Sequence, residues 1–196
     1  MKEKRPSIVY KKIIFLFTLI LGVCHLSAQM VTIPIATENN MLLLQTDSNN
    51  RLRTVYFGKP LENENEYAIV STGYNYDESN AGIYNSSYTP AGTWNLSEPA
   101  IQVKHAGGNP SLELKYVSHK KEIIDANTSI TSILLKDPIY PFEVTLFYKV
   151  WTKENIIEQW TEIKHKEKKP VLLQKYASAN LYFAGKDFYL TSFQGE

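Results

Sequence analysis

The segment that decides the fold is DPIYPFEVTLFYKVW, residues 137–151, in which apolar and polar side chains alternate. The apolar ones occupy even-numbered positions, namely Phe142, Val144, Leu146, Tyr148 and Val150. Three of the odd-numbered positions between them are polar, namely Glu143, Thr145 and Lys149. Because successive side chains of a β-strand point to opposite faces, this period of two predicts a half-buried strand about 33 Å long. One face of that strand is expected to pack against a second sheet.

Similar short segments recur along the chain, and each is rich in β-branched and aromatic residues. They cover residues 53–57, 101–105, 112–118, the region around Leu134, 156–165, 171–178 and 181–183. Turn-forming sequences such as GGNP at 107–110 and KEKKP at 166–170 separate them. Helical periodicity is nearly absent. The pattern predicts an all-β fold, an antiparallel β-sandwich.

The first residues have the pattern of a secretory signal peptide. A basic run precedes the apolar segment 13–23, and small residues follow in HLSAQ at 25–29. We expect a signal peptide at 1–28, export to the periplasm or the extracellular space, and one mature domain at 29–196. The alternative is a lipoprotein signal ending at Cys24, which is the only cysteine of the chain. Without residues 1–28 the chain has no basic surplus, so we expect no nucleic-acid partner.

The segment 62–99 differs from the rest because it is polar and has no clear period. It is predicted to be a long ordered loop or a weak hairpin region, and loops of this length are often functional. Its aromatic side chains are candidates for stacking on sugar rings. They are Tyr74, Tyr76, Tyr84, Tyr88 and Trp94. The alternative for each is a packing role that fixes the loop to the sandwich.

Residue spacing gives no catalytic or metal site. Glu158 and Glu162 share one face of a predicted strand about 13 Å apart, and glycosidase carboxyl pairs need at most about 9.5 Å. The histidines after residue 28 are His105, His119 and His165, and none has a second ligand at a recognisable spacing. No cofactor-binding motif is found. We therefore name no catalytic residue, metal ligand or cofactor.

Several motifs together resemble a known family. They are VYFGKPL at 55–61, YTPAG at 88–92, HAGGNPSLELKYVSH at 105–119, DPIYPFEVTLFYKVWTKENIIEQWTEIKH at 137–165 and KKPVLLQKYASANLYF at 168–183. In this order they resemble the N-terminal domain of bacterial α-galactosidases of glycoside hydrolase family 36, and the Bacteroides-like members most. One position departs from the family pattern, because Gly107 stands where the HADGN turn has an acidic residue.

The resemblance implies a galactose-mutarotase-like β-supersandwich, followed in the full enzyme by a (β/α)8 catalytic barrel that carries both catalytic aspartates. Neither aspartate has a counterpart here. The chain is thus expected to be a non-catalytic N-terminal domain or fragment of a secreted α-galactosidase, with roles in packing, homo-oligomerisation and the rim of the active site. The full enzyme would hydrolyse terminal α-D-galactosyl residues of galacto-oligosaccharides. The alternative is a stand-alone secreted carbohydrate-binding or assembly module, which would show saturable heat with raffinose or melibiose.

Overall fold

The computed structural model describes residues 30–71, 85–92, 98–183, 189 and 191. The described strands are β1 (Thr32–Ala36), β2 (Met41–Thr46), β3 (Leu52–Gly58), β4 (Ile101–Lys104), β5 (Lys115–Ile123), β6 (Thr128–Lys136), β7 (Phe142–Trp151), β8 (Ile156–His165) and β9 (Leu172–Tyr176). One helix, α1 (Glu64–Ser71), follows β3. The strands form sheets of order β1-β2-β3, β4-β9 and β5-β6-β7-β8, and all of these pairings are antiparallel.

Strand β7 confirms the prediction made from its alternating pattern. Its even-numbered side chains are buried from Phe142 to Val150, whereas the odd-numbered ones between them are partly exposed. The strand pairs with β6 on one side and with β8 on the other without a register shift. The buried side chains share one hydrophobic core with residues of β1, β2, β3 and β4. The sheets therefore form the layers of an all-β sandwich, as the sequence predicts.

The sequence prediction does not include β1 and β2, and their composition explains why. In β2 nearly every position is buried, including the adjacent Leu43 and Leu44, so its sequence MLLLQT shows no alternation. Strand β1 is short and contains Pro34, which weakens a strand prediction.

Two other boundaries are corrected. Residues 112–114 precede β5 and are not strand, and 181–183, predicted as a strand, have none of its pairing.

Helix α1 lies in the segment that the sequence predicts to be loop or hairpin, so that prediction is wrong for residues 64–71. The helix has no buried residue, which explains the missing apolar period. Its start does carry a local signal. The Asn63 side chain accepts a hydrogen bond from the Asn65 amide at 3.1 Å, and the Glu66 carboxylate accepts one from the Glu62 amide at 2.9 Å. This arrangement is a variant of the capping box.

The predicted signal peptide, residues 1–28, lies outside the described residues. In the part of the chain that the structure describes, no helix has the length and hydropathy needed to cross a bilayer.

Candidate functional site

A cavity of about 390 Å³ opens between the layers at one end of the sandwich. It is lined by residues from β2, β3, β7, β8 and the segment after β9. Two turns at this end are tied together. The Glu38 amide donates to the Thr152 carbonyl at 3.0 Å, and the Asn39 amide donates to Oδ1 of Asn155 at 2.7 Å. Asn155 has a φ of 57°, in the left-handed region that Asn tolerates. The cavity thus has a fixed rim.

The most deeply buried polar group of the cavity wall is the hydroxyl of Tyr148. The residue is 2 % exposed, and its Oη accepts a hydrogen bond from Nε2 of Gln159 at 3.3 Å. Burial raises the pKa of Tyr148, so its hydroxyl keeps its proton across the physiological range. No described residue accepts that proton. The wall therefore presents a buried neutral donor.

Further amide and hydroxyl groups line the same cavity. Nδ2 of Asn180 donates to the Ser86 carbonyl at 2.8 Å and to Oγ1 of Thr89 at 3.2 Å, which fixes the amide in place. Asn40 and Thr54 contribute a second amide and a hydroxyl from the opposite layer. Each of these groups can donate and accept hydrogen bonds.

Aromatic and aliphatic side chains complete the wall. Phe57 and Phe183 meet edge to face, with ring centroids 5.2 Å apart. They are 46 % and 39 % exposed, so both rings remain accessible. Leu42, Ile157 and Leu181 add aliphatic surface. The described lining therefore consists of amide, hydroxyl and apolar groups.

Of the aromatic residues proposed from sequence, the structure describes Tyr88, which is not part of the described lining of this cavity. Tyr88 is 2 % exposed, and its hydroxyl donates to the Ala177 carbonyl at 2.8 Å. Its ring belongs to the hydrophobic core, which is the packing role that the sequence left open as the alternative. Tyr74, Tyr76, Tyr84 and Trp94 lie outside the described residues. Their contact with sugar stays a prediction.

The charged residues considered from sequence form no shared metal site among the described residues. Glu158 is exposed on β8, and Glu162, also exposed, forms a 2.8 Å ion pair with Lys164. His119 lies 2.8 Å from the Tyr116 hydroxyl. Among the described residues, no group of His, Cys, Asp or Glu side chains is arranged to hold a metal ion.

His105 is the exception, because it is buried in a network of its own. Its Nδ1 lies 2.6 Å from Oε1 of Glu167, and its Nε2 lies 3.0 Å from the Ser111 carbonyl oxygen. The other carboxylate oxygen of Glu167 accepts from the Ala106 amide at 2.9 Å. The imidazole also stacks on Tyr140 at 3.7 Å between ring centroids. We call these residues the His105–Glu167 clasp, and it fixes the 105–111 turn to the loop after β8.

The sequence does not predict the cavity, because no motif or spacing connects the residues that line it. Its polar groups come from positions as distant as Asn40, Gln159 and Asn180, and no spacing connects them. Only Tyr148 carried a usable signal, since its even-numbered position in β7 predicts an inward side chain.

Comparison with known proteins shows which proteins this chain is similar to. The family model described as the glycosyl hydrolase family 36 N-terminal domain matches residues 50–196. The α-galactosidase Mel36A of Lactobacillus acidophilus is 25 % identical over 179 residues, which cover 78 % of this chain and 24 % of that protein. The chain thus spans about a quarter of this relative.

Solved structures show the same fold. The α-galactosidase of Lactobacillus brevis superposes with a TM-score of 0.66 at 16 % identity, over 80 % of this chain and 24 % of that one. A variant of the α-galactosidase AgaA of Geobacillus stearothermophilus, in complex with stachyose, also gives 0.66 at 18 % identity, over 76 % and 24 %.

Proposed function

Because the chain belongs to the glycosyl hydrolase family 36 N-terminal domain family, we propose that it serves as the non-catalytic N-terminal domain of an α-galactosidase. The whole enzyme would hydrolyse terminal α-D-galactosyl residues of galacto-oligosaccharides in a separate catalytic barrel. The match over residues 50–196 carries this proposal, together with relatives that are α-galactosidases about four times as long.

The surface of the C-terminal part supports a packing role. Large apolar side chains are exposed along β9 and after it. They are Leu172, Leu173, Tyr176 and Tyr189. Strand β9 is paired only with β4 in the described part of the chain, so it also leaves one backbone edge open. Exposed apolar surface of this kind is typical of a domain or subunit interface.

The first test is enzymatic. The purified chain is expected to release no p-nitrophenol from p-nitrophenyl α-galactoside at concentrations where the Lactobacillus acidophilus α-galactosidase gives a strong signal. That enzyme is the positive control for the assay. Turnover by the chain that persists through purification would contradict a non-catalytic role.

The second part of the proposal concerns the segment between VYFGKPL and YTPAG. In an oligomeric enzyme it would contribute to the galactose-binding rim of a neighbouring subunit's active site. Half of this segment, residues 72–84, lies outside the described residues, so support comes from the position of its flanking motifs. Deleting the segment that corresponds to 75–85 in a full-length relative is expected to raise KM. Unchanged KM and kcat would rule out the rim role.

The third part of the proposal concerns export of the protein. Residues 1–28 would direct secretion and be removed after Ala28, and the alternative is lipid attachment at Cys24. N-terminal sequencing of the protein from the exported fraction is expected to begin at Gln29. A chain that retains residue 1 and stays in the cytoplasm would contradict the proposal.

A further inference from the structure

We propose that the cavity between the layers binds a small, neutral, polyhydroxylated ligand, such as a monosaccharide or a disaccharide, without chemical change. The proposal rests on the cavity itself and does not depend on the α-galactosidase role. It concerns side chains of β2, β3, β7, β8 and the segment after β9.

The size and position of the cavity suit such a ligand. Its volume of about 390 Å³ lies in the range of small-molecule sites, which begins at about 300 Å³. The two turns that form the rim are tied by the Asn39–Asn155 and Glu38–Thr152 hydrogen bonds. A ligand would therefore enter a largely pre-formed site, and little ordering would oppose its binding.

The hydrogen-bonding groups match hydroxyls. Sugar hydroxyls both donate and accept, and so do the amides of Asn40, Gln159 and Asn180 and the hydroxyl of Tyr148. Gln159 uses Nε2 to hold Tyr148, and Asn180 uses Nδ2 to hold the 86–89 segment. Their carbonyl oxygens accept no hydrogen bond from the described residues. The wall therefore offers positioned acceptors beside the buried Tyr148 donor.

The apolar groups match the other face of a sugar ring. Phe57 and Phe183 lie at the accessible part of the wall and present aromatic surface. The C–H face of a pyranose packs on such rings, while the opposite edge carries the hydroxyls. The described lining contains amide, hydroxyl and apolar side chains, so a charged ligand would lose hydration without gaining a counter-charge. A neutral ligand is favoured.

The test is an NMR titration of the isotopically labelled 196-residue chain with galactose, melibiose and galacturonate. We expect saturable shifts for the neutral sugars, with a Kd of about 1 mM, at the side-chain amide signals of Gln159 and Asn180. Galacturonate is expected to bind at least tenfold more weakly. Absence of saturable shifts, shifts confined to other residues, or equal binding of galacturonate would overturn the proposal.

Two variants separate the cavity from the rest of the surface. Tyr148→Phe keeps the ring in the core and removes the donor, so melibiose should bind about tenfold more weakly. Gln159→Leu should have a similar effect. Gln174→Leu, at an exposed position of β9, is the matched control and should leave binding unchanged. Wild-type affinity in a folded Tyr148→Phe variant would overturn the proposal. If that variant does not fold, wild-type affinity in Gln159→Leu would overturn it instead.

Discussion

The His105–Glu167 clasp holds a buried imidazole between two oxygen atoms. Nδ1 of His105 faces the Glu167 carboxylate, and Nε2 faces the Ser111 carbonyl oxygen. Burial alone would raise the pKa of Glu167. The hydrogen bonds from His105 and the Ala106 amide, with the positive charges of His105 and His165, outweigh burial and hold that pKa below its ordinary value.

We predict that Glu167→Gln lowers the free energy of unfolding by about 3 kcal/mol at pH 7, because it removes the carboxylate that bonds the buried His105 side chain and the Ala106 amide. Since the folded-state pKa of Glu167 is lowered, its contribution is complete above the ordinary carboxyl value of 4.5 and is lost as pH falls through the lower folded value. Urea unfolding at pH 7 and at lower pH measures this. Glu158→Gln is the exposed control. A difference between wild type and variant that does not shrink in acid would contradict the clasp.

A second residue-scale prediction compares two glycines. Gly92 ends the YTPAG motif with φ of 88°, and a Cβ there would lie 2.6 Å from Cα of Ser111. Gly92→Ala should therefore cost about 1 to 3 kcal/mol. A Cβ at Gly107 would meet nothing within 4 Å, so Gly107→Ala should stay within about 0.5 kcal/mol. Thermal unfolding of both variants measures the two losses of stability. Equal losses would show that the close approach of Gly92 to Ser111 does not contribute to stability.

At the scale of secondary-structure elements, the burial pattern of an element decides whether its sequence predicts it. The sequence predicts β7 correctly because it buries one face of a long strand, which leaves a period of two. It also predicts β8, a long strand rich in β-branched and aromatic residues whose side chains are partly buried or exposed. Strand β2 is buried on both faces, and helix α1 has no buried face. Neither element therefore shows a periodic pattern of apolar residues. The capping signal at Asn63–Glu66 is the one local feature that predicts α1.

The two faces of β7 should differ in their cost of substitution. Leu146 is fully buried in the core, and Leu146→Ala is expected to lower the free energy of unfolding by about 3 kcal/mol. Thr145, its neighbour on the partly exposed face, provides the matched control. Thr145→Ala should cost less than about 1 kcal/mol. Urea unfolding compares them, and similar losses would contradict the assignment of the inner face.

The outer face of the same sheet carries a cross-strand aromatic pair. Phe147 of β7 and Trp160 of β8 are register partners, and their rings stack with centroids 4.9 Å apart at 3°. A double-mutant cycle with Phe147→Ala and Trp160→Ala is expected to give a coupling of about 1 kcal/mol. A coupling near zero would mean that the stacking adds nothing to the sheet.

For the whole molecule, the apolar surface of β9 predicts association in solution. Leu172, Leu173 and Tyr176 are 58 %, 39 % and 69 % exposed. We expect sedimentation velocity to show concentration-dependent association of the purified chain. Serine at these three positions should reduce it, whereas Ile123→Ser, at an exposed position of the charged edge strand β5, should not. A wild-type chain that stays monomeric at high concentration would argue against the interface.

The site was harder to predict than the fold for a geometric reason. The sandwich follows from local alternation, which each strand carries in its own sequence. The cavity forms where ends of β2, β3, β7 and β8 meet the segment after β9, so its chemistry depends on register and on how layers pack. Tyr88 illustrates the same limit, since only the fold shows that its hydroxyl reaches Ala177.

The strand order also has a consequence for the sequence of events in folding. Strands β5, β6, β7 and β8 are neighbours in sequence and in space, so each pairing closes only a short loop. Strand β4 instead pairs with β9, which joins Ile101 to Tyr176. We therefore expect the four-stranded meander to form early in folding, whereas β4 can pair only once β9 is in place.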